Sequence, residues 1–244
     1  MTSHDDRLNA ASLERILPDE LAANEATGSE TLQLHIERYQ FARQHLVRGT
    51  LLDMACGVGY GTALMSENPQ ITRAVGVDIS AGAVEYATQR YRRERASYIC
   101  SEALEFQPGE QFNNVVSLET IEHVDDPESL FAHLVSLLAP NGRLIASVPV
   151  TPSVDGNPHH KSNFSINSFA RMGDRFSLNC VTRLCQVQPF NPLAVALKTE
   201  ARTTSVRRGL PSFYLRHPSH LLLRVWSTLR HGFVNKYITL VWER

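Results

Sequence analysis

Apolar residues recur along this chain with two different periods. From Glu30 to Leu46 the positions Leu32, Ile36, Tyr39, Phe41 and Leu46 fit one face of an amphipathic helix ending at Gly49. Further on, short apolar bursts bounded by turn residues predict strands at Thr50–Met54, Arg73–Val77, Ser97–Cys100, Asn113–Ser117 and Arg143–Val148. Tyr60–Ser66, Ala83–Arg95 and Pro127–Leu138 read as the helices between them, the last stopped by Pro140-Asn141-Gly142. Apolar, β-branched strands separated by helices of this length predict a parallel, doubly wound α/β sheet. After Val150 the alternation fails. Thr151–Asn163 is a Pro/Asn/His-rich loop, and Cys180–Val187 and Tyr237–Trp242 read as further strands. Residues 1–28 read as a loosely ordered lead-in with a short helix near Leu8–Leu17, and no internal repeat is visible.

Composition changes this picture little. The 244 residues are 43% hydrophobic and 20% charged, which suits one domain with a sizeable core over residues 1–244. No run is long enough to span a bilayer, and the first residues lack a basic region followed by an apolar core, so no secretory signal is expected. Cys56, Cys100, Cys180 and Cys185 form no CxxC pair and suit a reducing cytoplasm. Charge is more informative. The net charge of −1 conceals an asymmetry: residues 201–236 hold seven Lys or Arg and no Asp or Glu, leaving residues 1–200 at −8.

The chemistry begins at LLDMACGVGYGT, residues 51–62, where a strand runs into Gly57-x-Gly59-x-Gly61 and then a helix. Glycines are needed where backbone turns tightly and must approach a ligand closely. Nicotinamide-binding proteins place GxGxxG here, so the glycines alone do not choose a cofactor. Two details choose. The third glycine falls at 61, giving GxGxG, and Asp53 lies four residues before Gly57. A carboxylate there repels a pyrophosphate but suits the cationic amino group of a methionine moiety. The next strand ends in Gly76-Val77-Asp78-Ile79, placing Asp78 where a carboxylate accepts both ribose hydroxyls.

On these motifs, residues 30–150 resemble the class I S-adenosylmethionine methyltransferases, the family with a seven-stranded, mostly parallel Rossmann-like sheet and helices on both faces. The resemblance implies S-adenosylmethionine as cofactor, with Asp53, Ala55, Gly57 and Gly59 in its loop and Asp78 on its ribose. It implies Ile79 beside the adenine with the Glu102-Ala103 pair, or Ser101-Glu102 under a one-residue shift, standing where the family usually has Asp-Ala, and Leu118 at the end of the fourth strand. Glu37-Arg38-Tyr39, the ETIEH block and the NPHH loop look most like enzymes that methylate sugars, polysaccharide ends or secondary metabolites. Arg38 or Tyr39 would approach the cofactor carboxylate, or else form an exposed Arg beside a core Tyr.

Ligands of open parallel sheets sit beyond the carboxyl ends of the strands, so residues 118–123 face the chemistry. A hydroxyl acceptor needs a base within reach, and His123 suits that role unless it only packs or caps a helix. Glu119, Glu122 and His123, spaced i, i+3, i+4, would share a face of one helical turn. With His159 or His160 from the later loop they would make a site for Mg²⁺, Mn²⁺ or Zn²⁺. The small-RNA 2′-O-methyltransferases and ubiquinone-pathway O-methyltransferases have a similar block with metal attached. His160 also resembles the NP-x-H histidine of the sugar and metabolite enzymes, and is a second candidate to act on the acceptor.

About 50 residues separate the last two expected strands. Within them Ser219–Phe233 fits an amphipathic helix, with Leu222, Val225, Trp226, Leu229 and Phe233 on one face and Arg224, Ser227 and His231 opposite. The basic segment, residues 190–236, is expected to form a helical insert that serves as a substrate lid, contacts a membrane surface peripherally, or binds nucleic acid. The last is least supported, because no RNA-binding motif is present. The resulting expectation is methyl transfer to a hydroxyl of a small-molecule or saccharide acceptor. An amine acceptor, a nicotinamide-dependent oxidoreductase and a non-catalytic cofactor-binding subunit are the alternatives, and the chain could form homo-oligomers.

Overall fold

The computed structural model of the chain describes residues 26–189 and 209–244. The helix expected near Leu8–Leu17 and the first part of the basic insert lie outside the described residues. The first half runs α1 (Ala26–Gln44), β1 (Gly49–Met54), α2 (Tyr60–Ser66), β2 (Ile71–Asp78), α3 (Ala81–Arg90), β3 (Ala96–Cys100) and β4 (Phe112–Leu118). A single 3₁₀ turn, Ile121–His123, precedes α4 (Pro127–Ser136) and β5 (Leu138–Pro149). Then come α5 (Ile166–Arg175), β6 (Asn179–Pro189), α6 (Leu210–Arg216), α7 (Pro218–His231) and β7 (Val234–Glu243).

The seven strands form one sheet in the order β3-β2-β1-β4-β5-β7-β6. All neighbours pair in parallel except β7, which runs antiparallel to both β5 and β6. This is the expected Rossmann-like, mostly parallel sheet. Its two faces can be read from alternate residues. Leu52, Met54, Val75, Val77 and Val115 belong to one buried cluster, with Leu130, Phe131 and Leu134 of α4 and Phe169 and Met172 of α5. Leu51, Ala74, Val116 and Ile145 belong to the other, with Tyr39 and Ala42 of α1 and Met65 of α2. Each buried aliphatic side chain contributes about 1.5–3 kcal/mol, so both faces must be covered for the sheet to stand.

Three local outcomes differ from the sequence pattern. The Pro140-Asn141-Gly142 turn does not directly stop α4, which ends at Ser136, but lies inside β5. There Asn141 takes the left-handed conformation (φ 58°) and the β4–β5 register shifts between Phe112 and Asn114. The helix expected to reach Arg95 ends at Arg90. Helix α5 has no counterpart in the expected elements, although a capping box at Ser165 and Ser168 opens it and Phe169, Met172 and Gly173 are buried along one face.

The expected helix at Ser219–Phe233 forms as α7, and a buried clamp fixes it. Arg224 donates through Nε to Asp155 Oδ2 (2.7 Å) and through Nη2 to Asp155 Oδ1 and the Pro152 carbonyl (both 2.6 Å). Tyr214 of α6 donates its hydroxyl to Asp155 Oδ2 (2.6 Å). Burial would raise the Asp155 pKa, but the guanidinium and phenol outweigh it and hold the carboxyl below its ordinary value.

Candidate active site

Strand order reverses between β1 and β4, where crossovers leave to opposite faces and open a crevice at the carboxyl ends. A cavity of about 800 Å³ lies there. Its walls come from α1 (His35, Arg38, Tyr39), the end of β1 and the glycine loop (Met54 to Val58), and the end of β2 (Val77, Asp78, Ile79). Residues after β3 (Ser101 to Leu104), residues after β4 (Leu118, Glu119, Thr120, His123) and the loop residues Pro158, His159 and Lys161 complete them.

The three glycines do different work. Gly57 has φ +56° and open space where a Cβ would point, so its backbone is bare toward a ligand. Gly59 has φ +86°, and a Cβ there would meet Ala87 and Tyr98 within 2.7 Å, so it lets the loop seat against α3 and β3. Gly61 allows the Tyr39 ring to lie on α2, where a Cβ would come within 2.1 Å of it. Of the glycines expected at the cofactor, only Gly57 lines the cavity.

Asp78 closes the loop: Gly57 N–H donates to Oδ2 and Ser80 N–H to Oδ1, both at 2.9 Å. Ile79 is 65% exposed on the cavity wall, an apolar platform at the position expected beside an adenine, and Glu102 and Ala103 stand on the same wall. Asp53 lies fully buried just before the lining residues Met54 and Ala55. The Thr62 hydroxyl donates to its Oδ2 (2.5 Å), while its Oδ1 has no hydrogen-bond partner. Burial raises its pKa from the ordinary carboxylate value to about 7, against the lowering effect of the Thr62 bond.

The residues after β4 depart from the single helical turn expected of them. Glu119 takes a left-handed backbone (φ 52°) and precedes the 3₁₀ turn, so it does not share a face with Glu122 and His123. Its carboxylate turns away from them. Ser147 Oγ donates to Glu119 Oε1 (2.7 Å) and Arg38 Nη1 stands 3.6 Å from the same oxygen. Arg38 itself is buried, neither exposed nor beside a core Tyr alone; its Nε donates to Gln186 Oε1 (2.7 Å) and its guanidinium lies 4.6 Å from the Tyr237 ring centre. Glu119 is thereby removed from the expected metal set. The donor atoms left together are those of Glu122, His123 and His160, all within 4.8 Å of one another.

His123 reaches the cavity, and His160 does not line it. The His160 ring packs edge-on against His123, with centroids 4.6 Å apart and planes at 89°. Burial, then the neighbouring His123 and His159, lower its pKa to about 3. This corrects the expectation that His160 acts on the acceptor directly: it is a neutral prop behind His123. Buried Glu122 puts Oε1 3.8 Å from His123 Nε2, and its carbonyl accepts from Lys161 N–H (2.7 Å) and Ser162 N–H (3.2 Å), tying the histidine loop to the 3₁₀ turn. His35, Tyr60 and Lys161 also reach the site without having been singled out by sequence. For His35 the signal was present: it lies three residues before Arg38, one turn along α1.

Comparison with known proteins agrees with this geometry. Residues 52–146 match the family described as "Methyltransferase domain". Trans-aconitate 2-methyltransferase of Enterobacter sp. (strain 638) is 32% identical over 124 residues, 48% of each chain. Phosphoethanolamine N-methyltransferase 1 of Zea mays is 30% identical over 129 residues, 49% of this chain and 24% of that protein. The matches thus span less than half the length of these relatives. Among solved structures, the N-methyltransferase NodS of Bradyrhizobium japonicum WM9, in complex with S-adenosyl-L-homocysteine, aligns with a TM-score of 0.58. That alignment covers 87% of this chain and 86% of NodS at 15% identity, a likeness of fold. Residues 52–146 are thus similar to a methyltransferase domain, and they contribute strands to a sheet of the Rossmann-like kind.

Proposed function

We propose that this chain transfers a methyl group from S-adenosylmethionine to a hydroxyl of a small-molecule or saccharide acceptor. The observation that carries the cofactor reading is Asp53, a fully buried carboxylate with one oxygen lacking a partner beneath a glycine loop. A buried carboxylate of this kind suits a cation, as the ammonium of a methionine moiety is, and disfavours a pyrophosphate. Asp78 would hold the ribose hydroxyls, Ile79 and Ala103 the adenine, and Gly57 the backbone approach. When bound, the cofactor supplies an electrophilic methyl group on a sulfonium.

The chain's own task is then to orient the acceptor and remove its proton. His123 stands in the cavity wall with its ring braced by His160 and Glu122 close to Nε2. It would accept the hydroxyl proton. With Glu119 committed to Arg38 and Ser147, a single carboxylate accompanies the two imidazoles, a poor set for Mg²⁺. The proposed base role of His123 needs no divalent ion, although two imidazoles and one carboxylate would suit Zn²⁺ or Mn²⁺. Exhaustive chelation should leave turnover unchanged, whereas loss of activity restored by Mn²⁺ or Zn²⁺ would establish the metal site.

An amine acceptor is the second reading, favoured by the N-methyltransferases among the relatives and neighbours. His123→Ala separates the two. A hydroxyl acceptor should lose about 10²–10⁴-fold in kcat with cofactor affinity kept, while an amine should react at nearly the original rate.

A further inference from the structure

Helix α7 is amphipathic in the reverse sense from an ordinary surface helix. Its polar residues Arg224 and Ser227 face the protein, Arg224 through the Asp155 clamp and Ser227 buried. Its apolar stripe faces out: Leu222 is 70% exposed, Trp226 58% and Leu229 84%, at spacings i, i+4 and i+7. Leu215 before the helix and Phe233 after it are exposed as well. Contiguous patches of this kind mark contact sites on folded proteins. None of the described residues of the insert lines the cavity, so the stripe does not serve as its wall.

The charge of the segment that carries the stripe points to its occupant. Residues 201–236 contain seven Lys or Arg and no acidic residue, in a chain that is otherwise acidic. Arg216 and Arg230 are exposed, and the Arg230 guanidinium lies 5.1 Å from the Trp226 ring centre. An outward stripe of Leu and Trp bordered by Arg matches a bilayer boundary, where apolar side chains enter the acyl region and guanidinium groups meet anionic headgroups. We infer that α7 docks the protein on an anionic lipid surface, lying in the interface with Arg224–Asp155 holding it to the catalytic domain. Among the described residues no helix is long and apolar enough to cross a membrane, so the contact is peripheral. The inference does not depend on the acceptor's identity.

The test is flotation of the full chain with vesicles of phosphatidylcholine containing phosphatidylglycerol, against phosphatidylcholine alone, at low and moderate salt. The full chain should float with the anionic vesicles, less so as salt rises, and Leu222→Glu/Trp226→Glu should abolish flotation. Tryptophan emission gives an independent readout, because Trp226 and Trp242 are the two tryptophans and Trp242 is fully buried. Anionic vesicles should shift the emission to the blue in the original chain and not in Trp226→Phe. No flotation at either salt, or equal flotation of the double variant, overturns the proposal. So does a concentration-dependent dimer that the double variant abolishes without any vesicle binding, which would make the stripe a self-association face. Circular dichroism confirms that the variants fold, as substitutions at exposed positions should allow.

Discussion

Asp53 carries the strongest electrostatic consequence at the scale of single residues. Burial raises its pKa from 3.8 to about 7, so between those values the folded chain holds a proton that the unfolded chain has lost. Its contribution to stability is therefore present below pH 4 and is lost as pH rises through 7. Binding of a cationic amino group has the opposite sign, since it needs the ionised carboxylate. Cofactor affinity should rise about tenfold between pH 6 and pH 8, read by calorimetric titration. Asp53→Asn should weaken binding about 10–100-fold and flatten that pH dependence. A steep dependence surviving in the variant would assign the titration elsewhere. Sequence located Asp53, Asp78 and Ile79 at or beside strand ends because a period of two and a glycine loop define position there. It misplaced Glu119 because a left-handed backbone at a glutamate is set by its surroundings, here the Ser147 and Arg38 contacts, and not by local propensity.

At the scale of elements, the histidine loop and α7 behave as one unit. Asp155 anchors α6 and α7 through Tyr214 and Arg224, and a few residues along the same loop Pro158 and His159 form the cavity wall. Arg224→Ala would leave a nearly fully buried carboxylate without its cation, a change that typically costs about 3–5 kcal/mol locally. Limited proteolysis should then cut within 209–231 at rates well above those of the original chain, with the thermal transition of the sheet shifted far less. Equal protection would show that the clamp does not hold the helix. The helical period made α7 legible in sequence. The direction of its faces was not, because periodicity gives two faces without saying which one meets the protein. Helix α5 was missed although Phe169, Met172 and Gly173 fall on one face at helical spacing, because its 10 residues are shorter than the window over which that period is read.

At the scale of the whole molecule, the sheet order was readable in outline because buried parallel strands announce themselves as short apolar runs. The crevice between β1 and β4 follows from that order, and the glycine loop, Asp78 and His123 converge on it from elements far apart in the chain. The acceptor side draws on loops and on α1, where no period constrains chemistry, so sequence pointed to the cofactor more firmly than to the substrate. The central claim is that this crevice takes an S-adenosyl cofactor and not a nicotinamide dinucleotide. Calorimetric titration of the dialysed chain with S-adenosylhomocysteine and, separately, with NAD tests it most directly. One S-adenosylhomocysteine should bind per chain with no heat from NAD, whereas saturable NAD binding without S-adenosylhomocysteine binding would contradict the account.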